Sequence, residues 1–237
     1  MVPFAIVADL RTGSTLLSTS LDRHPQVRCY GELFHPQDLP DNRIDGLDRA
    51  RASAGAILRA ALCSGRRRTR GFKAMSFLPL RTERRWRDAW GRLRALPGLR
   101  VLWLTRGNRL AQYTSLEVAR RTGMFHPHDH DRLYAAEHRP TVTLDPAEFR
   151  AWVEERDALL ARRRRQLDGL PALELDYETL TEDWHRSLGR VQAFLEVDVL
   201  PIEPMKRKQE SRPLAEVIRN YEELTAAVPR ALIRSAD

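Results

Sequence analysis

The chain alternates short apolar runs with segments of helical periodicity. Phe4-Ala5-Ile6-Val7-Ala8 is continuous, apolar and contains β-branched members, which predicts a strand buried on both faces, as in a parallel sheet. A polar turn with glycine, Arg11-Thr12-Gly13-Ser14, follows, and Leu17 and Leu21 then share a helical face until Pro25. Residues 45–64 predict a helix, with Ile57, Leu58, Ala61 and Leu62 at helical spacing. Gly71-Phe72-Lys73-Ala74-Met75 predicts a short second strand, and residues 82–96 a helix that stops at Pro97-Gly98. Residues 99–105 (Leu-Arg-Val-Leu-Trp-Leu-Thr) make the strongest strand pattern, followed by a helix through Arg121. Residues 123–145 hold several histidines with Pro127 and Pro140 and show no period, which predicts an irregular lid or loop. Phe149, Trp152, Val153, Leu159 and Leu160 mark a long helix from Pro146 to Asp168, with the Arg162-Arg163-Arg164-Arg165 run as a solvated face. Ala172-Leu173-Glu174-Leu175 predicts another strand, and Thr181 a cap for a helix with Leu188, Val191, Phe194 and Leu195 on one side. From Met205 onward the chain opens basic and then turns helical. Strands alternating with helices predict an α/β protein, a central parallel sheet flanked by helices in a single domain over residues 1–237.

Composition narrows the function classes. With 237 residues and 42% hydrophobic content the chain can bury a core of its own. Two cysteines, Cys29 and Cys63, exclude a disulfide framework and a zinc ribbon and fit a reducing compartment. The first residues lack a positive region followed by a long apolar stretch, and no apolar run could span a bilayer. A soluble, cytoplasmic protein with no membrane partner is expected. The net charge of +8 raises the question of nucleic acid. Yet of 40 basic residues only Lys73, Lys206 and Lys208 are lysines and 37 are arginines. That ratio fits a GC-rich coding background better than a selected surface, and no helix-turn-helix, zinc-finger or RNA-recognition signature is present. Nucleic acid is therefore not expected as a partner.

Two segments carry anion chemistry. In the strand-turn-helix of residues 4–21 a glycine lets the backbone approach a ligand, and the N–H groups opening the helix carry partial positive charge. Arg11 adds a two-pronged cation, and Ser14 and Thr15 add hydroxyls. An ordinary strand-to-helix turn with a surface arginine would give the same short motif. The Gly-x4-Gly-Lys-Ser/Thr pattern of nucleotide triphosphatases is absent, and the 99–105 strand runs into Arg106 rather than an acidic magnesium ligand. Arg106-Gly107-Asn108-Arg109 before the next helix repeats the logic, since a cation at a helix start opposes the dipole and asks for an anion. Two such sites at the carboxyl edge of one sheet suit a ligand with two well-separated phosphate groups.

These motifs resemble the sulfotransferases that use 3′-phosphoadenosine 5′-phosphosulfate (PAPS), in particular their bacterial carbohydrate branch, the trehalose and nodulation-factor sulfotransferases. Arg11-Thr12-Gly13-Ser14-Thr15-Leu16-Leu17 is similar to that family's 5′-phosphosulfate loop, and residues 106–115 to its 3′-phosphate segment. Tyr30-Gly31-Glu32-Leu33-Phe34-His35 is similar to its Gly-Glu-x-Phe region. Leu175-Asp176-Tyr177-Glu178-Thr179-Leu180 with Phe194-Leu195 is similar to its Tyr-Glu-Asp-Leu and Phe-Leu-Gly stretch, and residues 206–224 resemble the end of the same branch. The match spans nearly the whole chain in order. It departs at Asp9-Leu10, where the family often has a small residue and proline, so Asp9 is expected to turn toward the acceptor or pair with an arginine. The helix serine falls nine residues after Arg106 rather than eight, which makes Thr114 a rival to Ser115.

The resemblance implies a P-loop-like nucleotide-binding fold and an enzyme that moves a sulfuryl group from PAPS to a hydroxyl of a carbohydrate or small metabolite, releasing adenosine 3′,5′-bisphosphate without a metal. It implies that Arg11, Thr12, Gly13, Ser14, Thr15, Leu16, Arg106, Ser115 or Thr114, and Lys208 hold the donor. Glu32 is the candidate general base, because a carboxylate beside apolar Leu33 and Phe34 can have its pKa raised toward neutral. The residues alone also allow a surface glutamate in a turn. His35 is the second candidate base. Lys73 is expected to contact the sulfuryl group or the acceptor, or to lie at a solvated strand end. His126 and His128 in Phe125-His126-Pro127-His128-Asp129-His130-Asp131 suggest an acceptor-binding lid better than a metal site, since no further ligand falls at zinc spacing and proline interrupts the run. The alternatives are a P-loop kinase-like phosphotransferase using Mg-ATP and a non-enzymatic nucleic-acid-binding protein. Acceptor identity and oligomeric state, homodimer included, stay open.

Overall fold

The computed structural model describes residues 2–37, 39–77, 84–123, 125, 140–204 and 212–233. Along them, in chain order, lie β1 (Val2–Ala8), α1 (Ser14–Asp22), β2 (Val27–Tyr30), α2 (Ala54–Leu62), β3 (Thr69–Met75), α3 (Ala89–Arg94), β4 (Arg100–Thr105), α4 (Arg109–Thr122), α5 (Pro146–Gln166), β5 (Ala172–Asp176), α6 (Tyr177–Glu182), α7 (Trp184–Phe194), α8 (Leu214–Val217) and α9 (Tyr221–Ala227). The chain divides into two compact units. One runs to Thr105 and resumes from Ala158 to residue 205, and the other takes Arg106–Asp157 and the chain after 205.

The first unit holds all five strands in one parallel sheet, ordered β2-β3-β1-β4-β5. β1 is apolar throughout because both of its faces are covered. Ala5 and Val7 pack in a cluster with Leu58 and Leu62 of α2 and Trp90 and Leu93 of α3. Phe4, Ile6 and Ala8 pack with Leu17 and Leu21 of α1 and Leu188 and Val191 of α7. The chain builds one side of β1 with β2 and β3 and then crosses to the other with β4. In open α/β sheets ligands bind at the carboxyl ends of strands beside such a switch, which here is the end of β1.

In the second unit Tyr113 of α4 lies against Phe149 and Trp152 of α5, with ring centroids 5.4 and 5.1 Å away. Burial, with help from nearby Glu117 and Glu148, pushes the Tyr113 phenol up to about 12. Val142 bridges Ile218, and the Asn220 side chain accepts from the Leu144 N–H (3.1 Å) and donates to the Leu144 carbonyl (2.9 Å). These bonds fix the chain that precedes α5 to the segment that follows α8.

The expected α/β class is found, with several local corrections. β2 was not expected; only four residues long, it takes its strand character from pairing with β3. The helix predicted over 45–64 begins only at Ala54, because Gly46 adopts a left-handed φ of 73°, the Asp48 carboxylate bonds the Ala50 N–H in a turn, and Ser53 caps α2. The helix predicted over 82–96 is, among the described residues, a 3-10 turn at Arg84–Trp86 followed by the short α3. Thr181 caps nothing; its hydroxyl bonds back to the Tyr177 and Glu178 carbonyls, while Asp176 and Asp183 cap α6 and α7. The 162–165 arginine run is not simply solvated. Arg163 is buried over the Trp90 ring and donates to the Ser76 carbonyl (2.7 Å), and burial beside Arg162 lowers its pKa to about 10. Arg164 lies over Trp103 and grips both oxygens of Glu174. Cys29 is buried and Cys63 exposed, both are free thiols, and burial pushes the Cys29 thiol well up. Among the described residues no helix is long and apolar enough to cross a membrane.

Candidate functional site

After β1 the backbone turns through residues 9–13 and enters α1. Two residues of this turn are left-handed, Arg11 (φ 60°) and Gly13 (φ 83°). For arginine that conformation costs about 1–3 kcal/mol, strain of a kind that collects at ligand sites. Gly13 is required for a second reason: a Cβ there would lie 2.6 Å from Cδ2 of Tyr177. Asp9 is fully buried and builds the turn, its carboxylate accepting from the Leu10 N–H (2.7 Å) and its carbonyl from the Thr12 hydroxyl (2.8 Å). No side chain caps α1, and its first turn has no acidic residue. The opening N–H groups of a helix, here those of Ser14, Thr15 and Leu16, have no acceptor within the helix and carry its partial positive charge. The loop after β1 is thus shaped to receive an anion.

Beside it three candidates from distant parts of the sequence meet. Lys73 lies inside β3, in register with Ile6 of β1, and so faces α1. It is 2% exposed, and its Nζ donates to Thr15 Oγ1 (3.0 Å) and Glu32 Oε1 (3.3 Å). The solvated strand end considered for Lys73 is therefore excluded. Glu32, 8% exposed, follows β2 by two residues. The apolar neighbours expected around its carboxylate are elsewhere: Leu33 and Phe34 turn into the core, Phe34 edge-on to Phe72 and Trp86, and the carboxylate meets an ammonium instead. Buried charges persist when paired and hydrogen-bonded in this way. His35 uses Nδ1 to accept from the Gln37 N–H (3.2 Å), so a neutral ring carries its proton on Nε2 and has no lone pair left for a substrate. Gly31 leaves room for Asp41, whose carboxylate oxygen would lie 2.1 Å from a Cβ at that position.

The second unit holds the other anion segment. Asn108 caps α4 by accepting from the Ala111 N–H (2.8 Å), and Arg109 in the first turn bonds Gln112 and pairs with Asp157, which relieves its conflict with the helix dipole. Arg106 is half-buried just before the cap. Thr114 is 2% exposed and its hydroxyl donates to the Leu110 carbonyl (2.8 Å), whereas Ser115 is half-buried. Lys208, His126 and His128 lie outside the described residues.

Sequence reasoning missed the packing of Tyr177 beneath Gly13, which no spacing signals. It also missed Asn42, which is buried and whose side chain donates to the Glu32 carbonyl (3.2 Å). A glycine turn with an uncapped helix beside a buried Lys-Glu pair, at the switch point of a parallel sheet, is the layout of an α/β enzyme that handles charged groups. No protein-family model matches the chain. Over 227 residues it is 31% identical to Nodulation protein H of Rhizobium meliloti (strain 1021), covering 94% of this chain and 89% of the relative. Over 230 residues it is 30% identical to Nodulation protein H of Rhizobium tropici, covering 94% and 87%. Two solved structures share the fold. The sulfotransferase from Alicyclobacillus acidocaldarius superposes with a TM-score of 0.53 at 17% identity over 98% of this chain and 94% of that one. The sulfotransferase domain from the curacin biosynthetic pathway gives 0.54 at 15% identity over 99% and 92%. The chain belongs to the Nodulation protein H family of sulfotransferases.

Proposed function

We propose that the enzyme transfers a sulfuryl group from PAPS to a hydroxyl of a carbohydrate or small-metabolite acceptor, with residues 1–237 acting as one sulfotransferase domain in a cytoplasmic setting. The observation that carries this reading is Lys73, whose buried ammonium joins Thr15 of the anion loop to the Glu32 carboxylate. The amides of α1 with Arg11, Lys73 and the hydroxyls of Ser14 and Thr15 form a donor set suited to a multiply charged 5′-phosphosulfate. Thr12 and Gly13 shape the turn, and Leu16 contributes its amide. Arg106 and Ser115 take the 3′-phosphate; Thr114, its hydroxyl engaged within α4, does not. By resemblance Lys208 joins the donor-binding residues, and His126 and His128 the acceptor side.

In this reading Glu32 accepts the proton of the acceptor hydroxyl as that oxygen bonds sulfur and the bond from sulfur to the donor's phosphate oxygen breaks. Arg11, Lys73 and the α1 amides hold the charge that grows on the leaving phosphate, the kind of preorganised stabilisation that dominates group transfer. Adenosine 3′,5′-bisphosphate leaves. His35 is a poorer base because its Nδ1 is engaged.

Thermal shift with adenosine 3′,5′-bisphosphate, Mg-ATP and duplex DNA tests the donor class. Stabilisation by the bisphosphate is expected, and stabilisation by Mg-ATP or DNA alone would overturn the reading. Arg106→Ala is expected to weaken the bisphosphate about tenfold or more, the loss of a charge-assisted contact, while adenosine 5′-phosphate changes little. Calorimetry with both ligands checks this, and equal losses contradict the assignment.

A further inference from the structure

Among the described residues between Gly31 and Arg43, the segment carrying Glu32 has no regular structure except a 3-10 turn at Pro40–Asn42, yet its backbone is held at many points. The Gly31 N–H bonds the Asp41 carbonyl (2.7 Å), and Asn42 Nδ2 bonds the Glu32 and Gln37 carbonyls (3.2 and 3.1 Å). Arg49, which lies outside the segment and is 3% exposed, adds three more bonds. Its Nη1 donates to the Leu33 carbonyl (2.5 Å) and the His35 carbonyl (3.2 Å), and its Nη2 to the Gln37 carbonyl (2.8 Å). We propose that Arg49 is a positioning residue for the base: its buried guanidinium gathers three carbonyls of the loop after β2 and thereby holds Glu32 against Lys73. The inference rests on the reading of Glu32 as the base.

The chemistry explains why arginine stands here. A loop whose carbonyls turn inward leaves acceptors that must be satisfied once water is excluded. A guanidinium offers several N–H groups in a rigid planar fork and can bond carbonyls two residues apart from two different nitrogens. A lysine ammonium radiates its three donors from one point and cannot span Leu33 and Gln37 together. Glu32 immediately precedes the first carbonyl in the clamp, so loosening the clamp frees the backbone next to the carboxylate. A displacement of about 1 Å at a reacting group costs ~100-fold in rate. The loop after β1 is not among these contacts, so binding of the sulfuryl donor is expected to survive.

The test uses the full chain with Arg49→Ala and the softer Arg49→Lys, each checked by circular dichroism and melting temperature. Arg49→Ala is expected to lower kcat ~100-fold with PAPS and a working acceptor, to leave the affinity for adenosine 3′,5′-bisphosphate within about threefold, and to regain part of kcat on addition of guanidinium or methylguanidine. Arg49→Lys is expected to show a similar loss of kcat without that rescue, because the lysine occupies the space. Hydrogen exchange should quicken in residues 31–42 and stay unchanged in residues 9–16. Unchanged kcat, or a loss of kcat that only follows loss of folded protein or of bisphosphate affinity and is not rescued, overturns the proposal. If Glu32→Gln stays active while Arg49→Ala shows rescuable loss and faster exchange, the base lies elsewhere in the loop and the clamp stands.

Discussion

Glu32→Gln is expected to lower kcat by ~10²–10⁴-fold, the usual contribution of a positioned general base, while adenosine 3′,5′-bisphosphate binds within a few-fold of normal. The two effects separate because of the geometry. The carboxylate accepts a hydrogen bond from Lys73 Nζ at 3.3 Å, and the amide oxygen of glutamine can still accept it. Glutamine thus keeps the shape and one hydrogen bond but cannot take a proton. Lys73→Met is the contrasting case: it leaves Glu32 as a buried carboxylate without its cation, a change that costs about 3–5 kcal/mol when one partner of a buried pair is removed. Steady-state rates and calorimetry on Glu32→Gln decide the point. A variant with near-normal turnover would remove Glu32 from the chemistry.

Gly13→Ala is expected to damage stability and donor binding together. A left-handed φ of 83° costs a non-glycine residue about 1–3 kcal/mol. The added Cβ would also lie 2.6 Å from the Tyr177 ring, so the turn or the ring must move. Either movement re-aims the N–H groups at the start of α1. A fall in melting temperature and a loss of bisphosphate affinity of about tenfold or more should appear in calorimetry and thermal shift. Adding Tyr177→Ala should recover the part due to the clash and leave the part due to φ. If Gly13→Ala binds the bisphosphate normally, the loop after β1 is not the donor site.

The elements legible in the sequence were those with local signals. A continuous apolar run followed by a glycine turn specified β1, the loop and α1, and the run of residues 100–105 specified β4. β2 was not legible because Arg28, which bonds Asp22 at 2.7 Å, interrupts a run of only four residues. The residue types of the candidate site could be named, but their contacts could not. Nothing near Lys73 in the sequence points to Glu32, 41 positions away, because sheet register makes that pairing. The same limit applies to the arginines, which composition alone assigned to coding background. Arg67 bonds the carbonyls of His24, Pro25 and Val27, Arg49 those of Leu33, His35 and Gln37, and Arg163 that of Ser76. Which arginine becomes a carbonyl clamp depends on where a distant loop leaves its acceptors, and no local pattern carries that information.

The central claim is transfer of a sulfuryl group from PAPS, and its most direct measurement follows radiolabelled sulfate from PAPS onto a panel of sugars and hydroxylated metabolites. Label in a product, with adenosine 3′,5′-bisphosphate released in equal amount and both signals lost in Glu32→Gln, is the predicted result. Failure to bind or consume PAPS, while Mg-ATP stabilises the protein and donates a phosphoryl group to the same panel, would contradict it.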